Sequence, residues 1–231
     1  FVAASAAPVV EEIAAELERA TGTRISVHAA SSATLARQIR TGSRVDLFWS
    51  AHPEWIDAAR PPGRAESEFP QARTDLLTNR LVLVRPRSEQ PGPRGVDLPT
   101  VIEGRWAIGD PAHVPLGRYA EEALRAHGWW DDLQGRRLTA MDARATARLV
   151  EEGHATAGVI YASDVQGNDR LEVLLAFPLE SHSPIVYPLV LLSDRPAART
   201  VYDRLRTPTV AERLRTAGFS LIPRSEPKED R

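Results

Sequence analysis

Residues 24–51 read RISVHAASSATLARQIRTGSRVDLFWSA and contain two candidate strands on either side of a candidate helix. The run from 24 to 27 is rich in β-formers, and residues 45–51 are apolar and aromatic, which is typical of a strand. Between them, residues 35–39 have helical patterning that ends at Gly42. The order strand, helix, strand indicates an α/β fold with parallel strand pairing.

The alternation continues on both sides of this stretch. Upstream, apolar residues at four-residue spacing predict a helix over residues 8–20. Downstream, compact apolar runs predict strands, and longer periodic segments that end at glycine predict helices. The predicted strands are residues 81–84, 105–110, 157–164, 171–177 and 185–194, and the predicted helices are residues 117–127, 143–152 and most of 196–218.

The length of the chain allows one large domain or two lobes, because 231 residues with 42% hydrophobic content can bury a substantial core. We expect two sheets, with the chain crossing between them near residues 81–84 and returning near residues 187–191. The first lobe would then comprise residues 1–80 and 190–231, and the second residues 81–189. A ligand cleft is expected between the lobes.

Composition excludes several classes of function. The net charge of −2 and a pI near 6.4, without a Lys/Arg run, give no footprint for a nucleic acid. The absence of cysteine excludes disulfides, thiolate metal sites and thiol nucleophiles. No apolar run approaches the roughly 18 residues of a membrane span. The first residues, FVAAS, do not resemble a secretion signal, so we expect any signal peptide or lipid anchor to have been removed.

Two segments place serine and alanine where a helix begins, FVAASAAP at 1–8 and VHAASSATLARQI at 27–39. Ser5 is predicted to cap a helix that begins near Ala6, and Ser31 or Ser32 to cap the second helix. A helix start leaves unpaired N–H groups and a partial positive charge, so two converging starts would make an anion site without arginine. The alternative is that each serine is an ordinary cap.

Three more groups could complete such a site. In GDPAHVPLGRYAEEAL (109–124) a tight turn opens a helix, and the Leu116 amide could face inward. In MDARATARLV (141–150) Asp142 is predicted to cap a helix that begins at Ala143. Tyr161 ends an apolar strand and offers a neutral hydroxyl donor at pH 7. A plain connection, a cap and a core tyrosine are the respective alternatives.

Seven segments, taken together and in order, resemble the periplasmic molybdate-binding proteins of ABC importers. The pattern GDP-x-x-VP-x-G-x-YA, preceded by SS-x-TLARQI, is specific to that family among solute-binding proteins. The segments are AAS at 3–5, ASSATLARQI at 30–39, VDLFWSAHPEWID at 45–57, LLTNRLVLV at 76–84, AIGDPAHVPLGRYAEEAL at 107–124, AGVIYASD at 157–164 and IVYPLVLL at 185–192.

The resemblance implies a two-lobed type II periplasmic-binding-protein fold, with mixed sheets flanked by helices and a hinge of two crossover segments. It implies a non-enzyme that binds molybdate or tungstate through the anion's oxygens, without a cofactor. The implied partner is the membrane permease of the importer, the location is periplasmic or extracytoplasmic, and a monomer is expected. The implied ligand groups are the hydroxyls and amides of Ser5 and Ser32, the amides of Leu116 and Ala143, and the hydroxyl of Tyr161.

Neutral donors suit an anion that must later be released, since a buried arginine pair would slow its escape. Phosphate at neutral pH keeps a proton that needs an acceptor, whereas molybdate, tungstate and sulfate are fully deprotonated. A lining of donors would therefore reject phosphate, and cavity size would have to reject the smaller sulfate. Leu116 stands where the family commonly has alanine, so it could alter the volume of the cavity.

Alternatives remain open from the sequence alone. The same fold could bind another oxyanion such as sulfate or chromate, or could be the effector lobe of a transcription regulator. A ferric-iron binder would want adjacent tyrosines with a histidine and a carboxylate, whereas the tyrosines here are scattered singly. A hydrolase using Ser5 or Ser32 would need a base, and neither serine has one nearby in sequence. The histidines show no metal-ligand spacing.

Overall fold

The structure of the protein is a computed structural model that describes residues 1–88 and 102–222. Its strands in this part of the chain are β1 (Val2–Ala3), β2 (Ala29–Ala30), β3 (Leu47–Trp49), β4 (Ala72–Thr78), β5 (Leu81–Pro86), β6 (Trp106–Gly109), β7 (Arg137–Ala140), β8 (Ala157–Tyr161), β9 (Leu171–Ala176), β10 (Val186–Leu191) and β11 (Ser220–Leu221). Its helices there are α1 (Ala7–Thr21), α2 (Ser32–Arg40), α3 (Glu54–Ala58), α4 (Pro115–Ala126), α5 (Trp130–Leu133), α6 (Ala143–Glu151), α7 (Pro196–Arg204) and α8 (Pro208–Thr216).

The strands form two mixed sheets. The first has the order β11-β4-β10-β3-β1-β2, and the second has the order β7-β6-β8-β5-β9. Parallel pairing joins β1 to β2 and β3, and β6 to β7 and β8. Strands β10 and β5 pair antiparallel with their neighbours. This arrangement confirms the α/β class with two lobes and mixed sheets, while the parallel pairing expected from the alternation holds for only part of each sheet.

The described chain passes between the two sheets at two places. The first connection joins β4 to β5 through Asn79 and Arg80, and the second joins β9 to β10 through residues 177–185. The return therefore precedes Val186, whereas a boundary at 189/190 would cut through β10, all of which lies in the first sheet. Residues 89–101 and 223–231, which the expected lobe ranges include, lie outside the described residues.

The edge of the first sheet differs from the sequence prediction. The run Arg24 to Val27 is not a strand, and the chain instead pairs two residues later, at Ala29–Ala30. Ile25 and Val27 still pack against the core, so the apolar spacing served burial and not pairing. Strands β1 and β2 pair through only two residues each, so the edge strand β2 is short.

The core covers both faces of each sheet. Strand β5 shows why, because Leu81 and Leu83 belong to the large cluster that joins the two sheets, while Val82 and Val84 face a second cluster with Ala147 and Val150 of α6. A strand buried on both faces is apolar at every position, as LVLV is. The first turns of α2, α4 and α6 lie where the two lobes meet. Within the described ranges, no helix is both long enough and apolar enough to span a membrane.

Candidate functional site

Ser5 lies in a turn of 3-10 helix, Ala4–Ala6, between β1 and α1. The prediction that it caps α1 is wrong, since the residue before α1 is Ala6 and makes no side-chain capping bond. The Ser5 hydroxyl instead lies 2.9 Å from the hydroxyl of Tyr187. The Ala7 amide donates to the Ala4 carbonyl. Ser5 is buried, so its hydroxyl is held between the tyrosine and the interior of the cleft.

The two neighbouring serines at the start of α2 have different roles. Ser31 is the cap, because its hydroxyl oxygen accepts a hydrogen bond from the Thr34 amide at 3.2 Å. Ser32 is the first residue of the helix, and its hydroxyl oxygen accepts from the Ala51 amide at 3.0 Å. With a lone pair engaged in this way, the hydroxyl hydrogen of Ser32 remains for another acceptor.

Two helix starts from the second lobe face these serines. Pro115 and Leu116 open α4, and Ala143 opens α6. The Leu116 and Ala143 amides donate to no group in the described part of the chain. The carboxylate of Asp142 accepts from the Ala145 amide at 2.8 Å, which confirms its predicted role as a cap. Both free amides belong to the first turn of a helix, where N–H groups have no partner within the helix.

Tyr161 ends β8 and is 1% exposed. Its hydroxyl has no hydrogen-bond partner within residues 1–88 and 102–222. Burial, and then the neighbouring Tyr187 and Tyr119, raise the pKa of Tyr161 well above its usual range. The phenol therefore keeps its proton and stays a neutral donor at physiological pH.

All the residues predicted as ligands line one cavity between the lobes. The cavity measures about 10 Å³, which is about the room that one water molecule needs. Small side chains, among them those of Ala3, Ala4 and Ala51, bring the backbone close to it, and its lining contains no lysine or arginine. The predicted ligands at the cavity are Ser5, Ser32, Leu116, Ala143 and Tyr161.

Two buried residues behind Ser5 were not predicted as part of the site. The hydroxyl of Tyr187 accepts from the side-chain amide of Asn79 at 3.3 Å, in addition to its contact with Ser5. The same Asn79 nitrogen donates to the Ser163 hydroxyl at 2.8 Å. These contacts join positions more than a hundred residues apart for Tyr187, so no local pattern in the sequence indicates them.

The two lobes also meet beside the cavity. Arg118 of α4 forms an ion pair with Glu54 of α3, and its guanidinium lies 4.9 Å from the ring centre of Trp55. The ring of Tyr119 lies 5.2 Å from that of His52 at a tilt of 36°, and its hydroxyl donates to the Ala51 carbonyl at 3.4 Å. These contacts hold the first turn of α4 against the first lobe and keep the cavity closed.

The site as a whole can bind a small anion through neutral donors. The first turns of α2, α4 and α6 converge on the cavity and add the partial positive charge of their helix dipoles. Hydroxyl and amide N–H groups supply directional hydrogen bonds without a fixed counter-charge. Asp142 also lines the cavity, but its carboxylate is engaged in capping α6.

Comparison with known proteins places these features in one family. Residues 1–220 match the bacterial extracellular solute-binding proteins. The molybdate-binding protein ModA of Escherichia coli (strain K12) is 35% identical over 228 residues, which cover 96% of this chain and 88% of that protein. The structure of the substrate-binding domain of a putative molybdenum ABC transporter from Clostridium difficile is 26% identical with a TM-score of 0.71, covering 96% and 97% of the two chains.

The fold itself is shared still more widely. The Azotobacter vinelandii periplasmic molybdate-binding protein superposes with a TM-score of 0.83 over 96% of this chain and 98% of that one. At 21% sequence identity this likeness concerns the fold alone. The same lobes and the same cleft are thus compatible with extensive change of sequence.

Proposed function

This chain belongs to the bacterial extracellular solute-binding proteins, and on that premise we propose that it captures molybdate or tungstate and delivers the anion to the permease of an ABC importer. It would act as a binding protein and not as an enzyme, as a monomer, and outside the cytoplasmic membrane. The relatives that support this proposal are the molybdate-binding protein of Escherichia coli and the transporter domain of Clostridium difficile.

The observation that carries the proposal is the donor set of the cavity. Two serine hydroxyls, two helix-start amides and one phenol, the amides and the phenol without a partner among the described residues, surround one small cavity between the lobes. A tetrahedral dianion presents acceptors in every direction, so it can satisfy donors that approach from both lobes. An uncharged organic ligand would leave most of these donors unpaired.

Selectivity would follow from the same geometry. Hydrogen phosphate carries a hydroxyl that needs an acceptor, whereas the five predicted ligand groups all face the cavity as donors. Sulfate lacks that proton, so it must be rejected by size, since its shorter bonds would leave it short of donors fixed for a larger anion. The Leu116 side chain is fully buried, so it is packed away from solvent while its amide faces the cavity.

Opening and closing of the two lobes would let the anion enter and leave the cavity. We propose that residues 1–80 with the strands from Val186 onward move as one lobe, and that the chain between them moves as the other. The connections at 79–80 and 177–185 would then form the hinge. An anion bound to Ser5 and Ser32 on one side and to the α4 and α6 amides on the other would favour the closed form.

The ferric-iron alternative has one structural feature in its favour. The rings of Tyr161 and Tyr187, which are distant in sequence, lie 6.0 Å apart. Burial raises the pKa of both phenols, so both resist the deprotonation that iron ligation requires. We therefore prefer the oxyanion.

A serine-dependent hydrolase is the other alternative, and the contacts of the serines argue against it. The Ser5 hydroxyl is paired with a tyrosine, and the Ser32 hydroxyl accepts from a backbone amide. Neither contact supplies the general base that an activated serine needs. The bound anion would therefore be released without chemical change.

The test is a calorimetric titration of molybdate into the wild-type protein and the Ser32→Ala variant. We expect one-to-one binding to the wild type and a loss of roughly 1–3 kcal/mol in the variant, because a hydrogen bond to a charged ligand is removed. Ser193→Ala is the control, since that hydroxyl is bound to Asp46 at 2.6 Å and does not line the cavity. Equal affinities of Ser32→Ala and wild type would overturn the assignment of the site.

A further inference from the structure

Behind Ser5, a chain of hydrogen bonds leads through Tyr187 to Asn79. We propose that Asn79 and Tyr187 are positioning residues that turn the hydroxyl hydrogen of Ser5 toward the bound oxyanion and so help the site to reject protonated anions. This inference rests on the proposed function of the cavity. It concerns the direction of each hydrogen bond, which decides whether Ser5 offers the anion a hydrogen or a lone pair.

The side chain of Asn79 is fixed at both ends. Its oxygen accepts from the Arg80 amide at 2.9 Å and from the Ser163 amide at 3.4 Å. Because backbone amides can only donate, these contacts assign the oxygen and leave the nitrogen facing Ser163 and Tyr187. The Asn79 nitrogen therefore donates to the hydroxyl oxygen of Tyr187.

Tyr187 passes this direction on to Ser5. It is fully buried, and burial raises the pKa of its phenol, so the single hydroxyl hydrogen stays in place. The contact of 2.9 Å between the Ser5 and Tyr187 hydroxyls allows either to donate, and we assign the donor as Tyr187, because its oxygen already accepts from Asn79 and its buried hydrogen needs an acceptor. Ser5 thus accepts from behind, and its own hydrogen is the group that remains for the cavity.

Ser32 shows the same arrangement with a different donor. Its oxygen accepts from the Ala51 amide at 3.0 Å, which leaves its hydrogen for the cavity as well. A backbone amide cannot reverse its direction, whereas the relay to Ser5 depends on two side chains. Substitution of Asn79 or Tyr187 can therefore change the preference for fully deprotonated anions. The contribution of Ser32 cannot be changed in this way, because the Ala51 amide always donates.

Asn79→Asp is the variant that reverses the relay while keeping nearly the same shape. The carboxylate can only accept, so Tyr187 would donate to it, Ser5 would donate to Tyr187, and a Ser5 lone pair would face the cavity. Tyr187→Phe removes the relay altogether and frees the Ser5 hydroxyl to rotate. Tyr202→Phe is the matched control, because Tyr202 is also buried and its hydroxyl bonds to Thr74 at 2.7 Å, away from the cavity.

The measurement is the apparent Kd of molybdate at neutral pH, with and without an excess of phosphate, for the wild type and the three variants. We expect both relay variants to bind molybdate about tenfold more weakly, as for the loss of one hydrogen bond to a charged ligand. We also expect phosphate to compete in Asn79→Asp, which offers its hydroxyl an acceptor, but not in the wild type or in Tyr202→Phe.

The outcomes separate this inference from the proposed function. If the wild type binds no molybdate, the proposed function fails and the relay fails with it. If the wild type binds molybdate and both relay variants bind it equally well, the relay alone is wrong. If Asn79→Asp weakens binding but phosphate still does not compete, the added negative charge accounts for the loss and the directional role is overturned.

Discussion

At the scale of single residues, the site shows polar groups whose pairing is incomplete. The buried hydroxyl of Tyr161 lacks a partner among the described residues, and so does one carboxylate oxygen of Asp164. An unpaired buried polar group lowers the stability of the fold, so it persists where something else uses it. For Tyr161 we assign that use to the anion.

The Tyr161→Phe variant should therefore separate binding from stability. We expect it to bind molybdate more weakly by roughly 1–3 kcal/mol, while its free energy of unfolding without ligand stays equal or rises, because no hydrogen bond within the protein is lost. Calorimetry and urea denaturation measure the two effects. A clear loss of stability together with full affinity would show that the phenol has a structural partner and no ligand.

Asp164 gives the stability of the fold a dependence on pH. Burial raises the pKa of this carboxyl from 3.8 to about 7. Between these values the folded protein holds a proton that the unfolded chain has released, so the stability falls as the pH rises through this window and levels off above it. The slope from this group is at most about 1.4 kcal/mol per pH unit.

The Asp164→Asn variant should lack that slope. We expect its free energy of unfolding, relative to wild type, to increase steadily from about pH 4 to about pH 7, with the gain retained at higher pH. Urea denaturation at several pH values measures the difference. Parallel pH profiles for the two proteins would show that Asp164 does not carry the dependence.

At the scale of elements, the first turn of α4 depends on a glycine. A Cβ on Gly117 would lie 2.1 Å from the Gly109 carbonyl oxygen and 2.8 Å from the Asp110 carbonyl carbon. Only glycine lets the helix start approach the end of β6 this closely, and the Leu116 amide is placed by that approach. The position of a predicted ligand donor is thus set by a residue that does not line the cavity.

The Gly117→Ala variant should consequently lose both stability and affinity. We expect a loss of stability of about 1–3 kcal/mol from the steric conflict, and weaker molybdate binding because the Leu116 amide is displaced. Gly135→Ala is the control, since a Cβ there meets nothing within 4 Å. Wild-type affinity in a folded Gly117→Ala protein would mean that the α4 start does not contribute to the site.

The elements also show what the sequence could and could not predict. Helices with side-chain caps were predictable, because Ser31 and Asp142 act on amides only three residues away. The role of Ser5 was mistaken for capping, because its partner Tyr187 lies 182 positions along the chain. The strand β4 was missed, since its sequence ARTDLLT mixes charged and apolar residues and is organised by its two neighbours.

The site divides in the same way. The five ligand residues were found from helix-start composition together with the family resemblance, and the structure brings all of them to one cavity. Their role as ligands stays a prediction. The sequence could not indicate Asn79 and Tyr187, because their contacts join residues that are far apart in the chain.

At the scale of the whole molecule, the two lobes also meet through contacts outside the cavity. Arg118 reaches from α4 of one lobe to Glu54 and Trp55 of the other. The ion pair of Arg118 and Glu54 is partly exposed to solvent, so its contribution to holding the lobes together is modest. On the proposed function, contacts of this kind would stabilise the closed form and slow release of the anion.

The Arg118→Ala variant should bind molybdate about threefold more weakly, with the change in the dissociation rate, since it destabilises the closed form and leaves the donors intact. Stopped-flow tryptophan fluorescence measures the rate. Arg125→Ala is the control, because Arg125 pairs with Glu121 and lies over Trp130 within a single lobe. Equal release rates for Arg118→Ala and wild type would show that the contacts of Arg118 with Glu54 and Trp55 do not govern closure.

The most direct test of the central claim is a calorimetric titration of the wild-type protein with molybdate, tungstate, sulfate and phosphate in one buffer at neutral pH. A cavity lined with neutral donors from both lobes predicts one-to-one binding of molybdate or tungstate, with sulfate and phosphate silent. Binding of phosphate as tight as that of molybdate, or no heat from any of the four anions, would contradict the account.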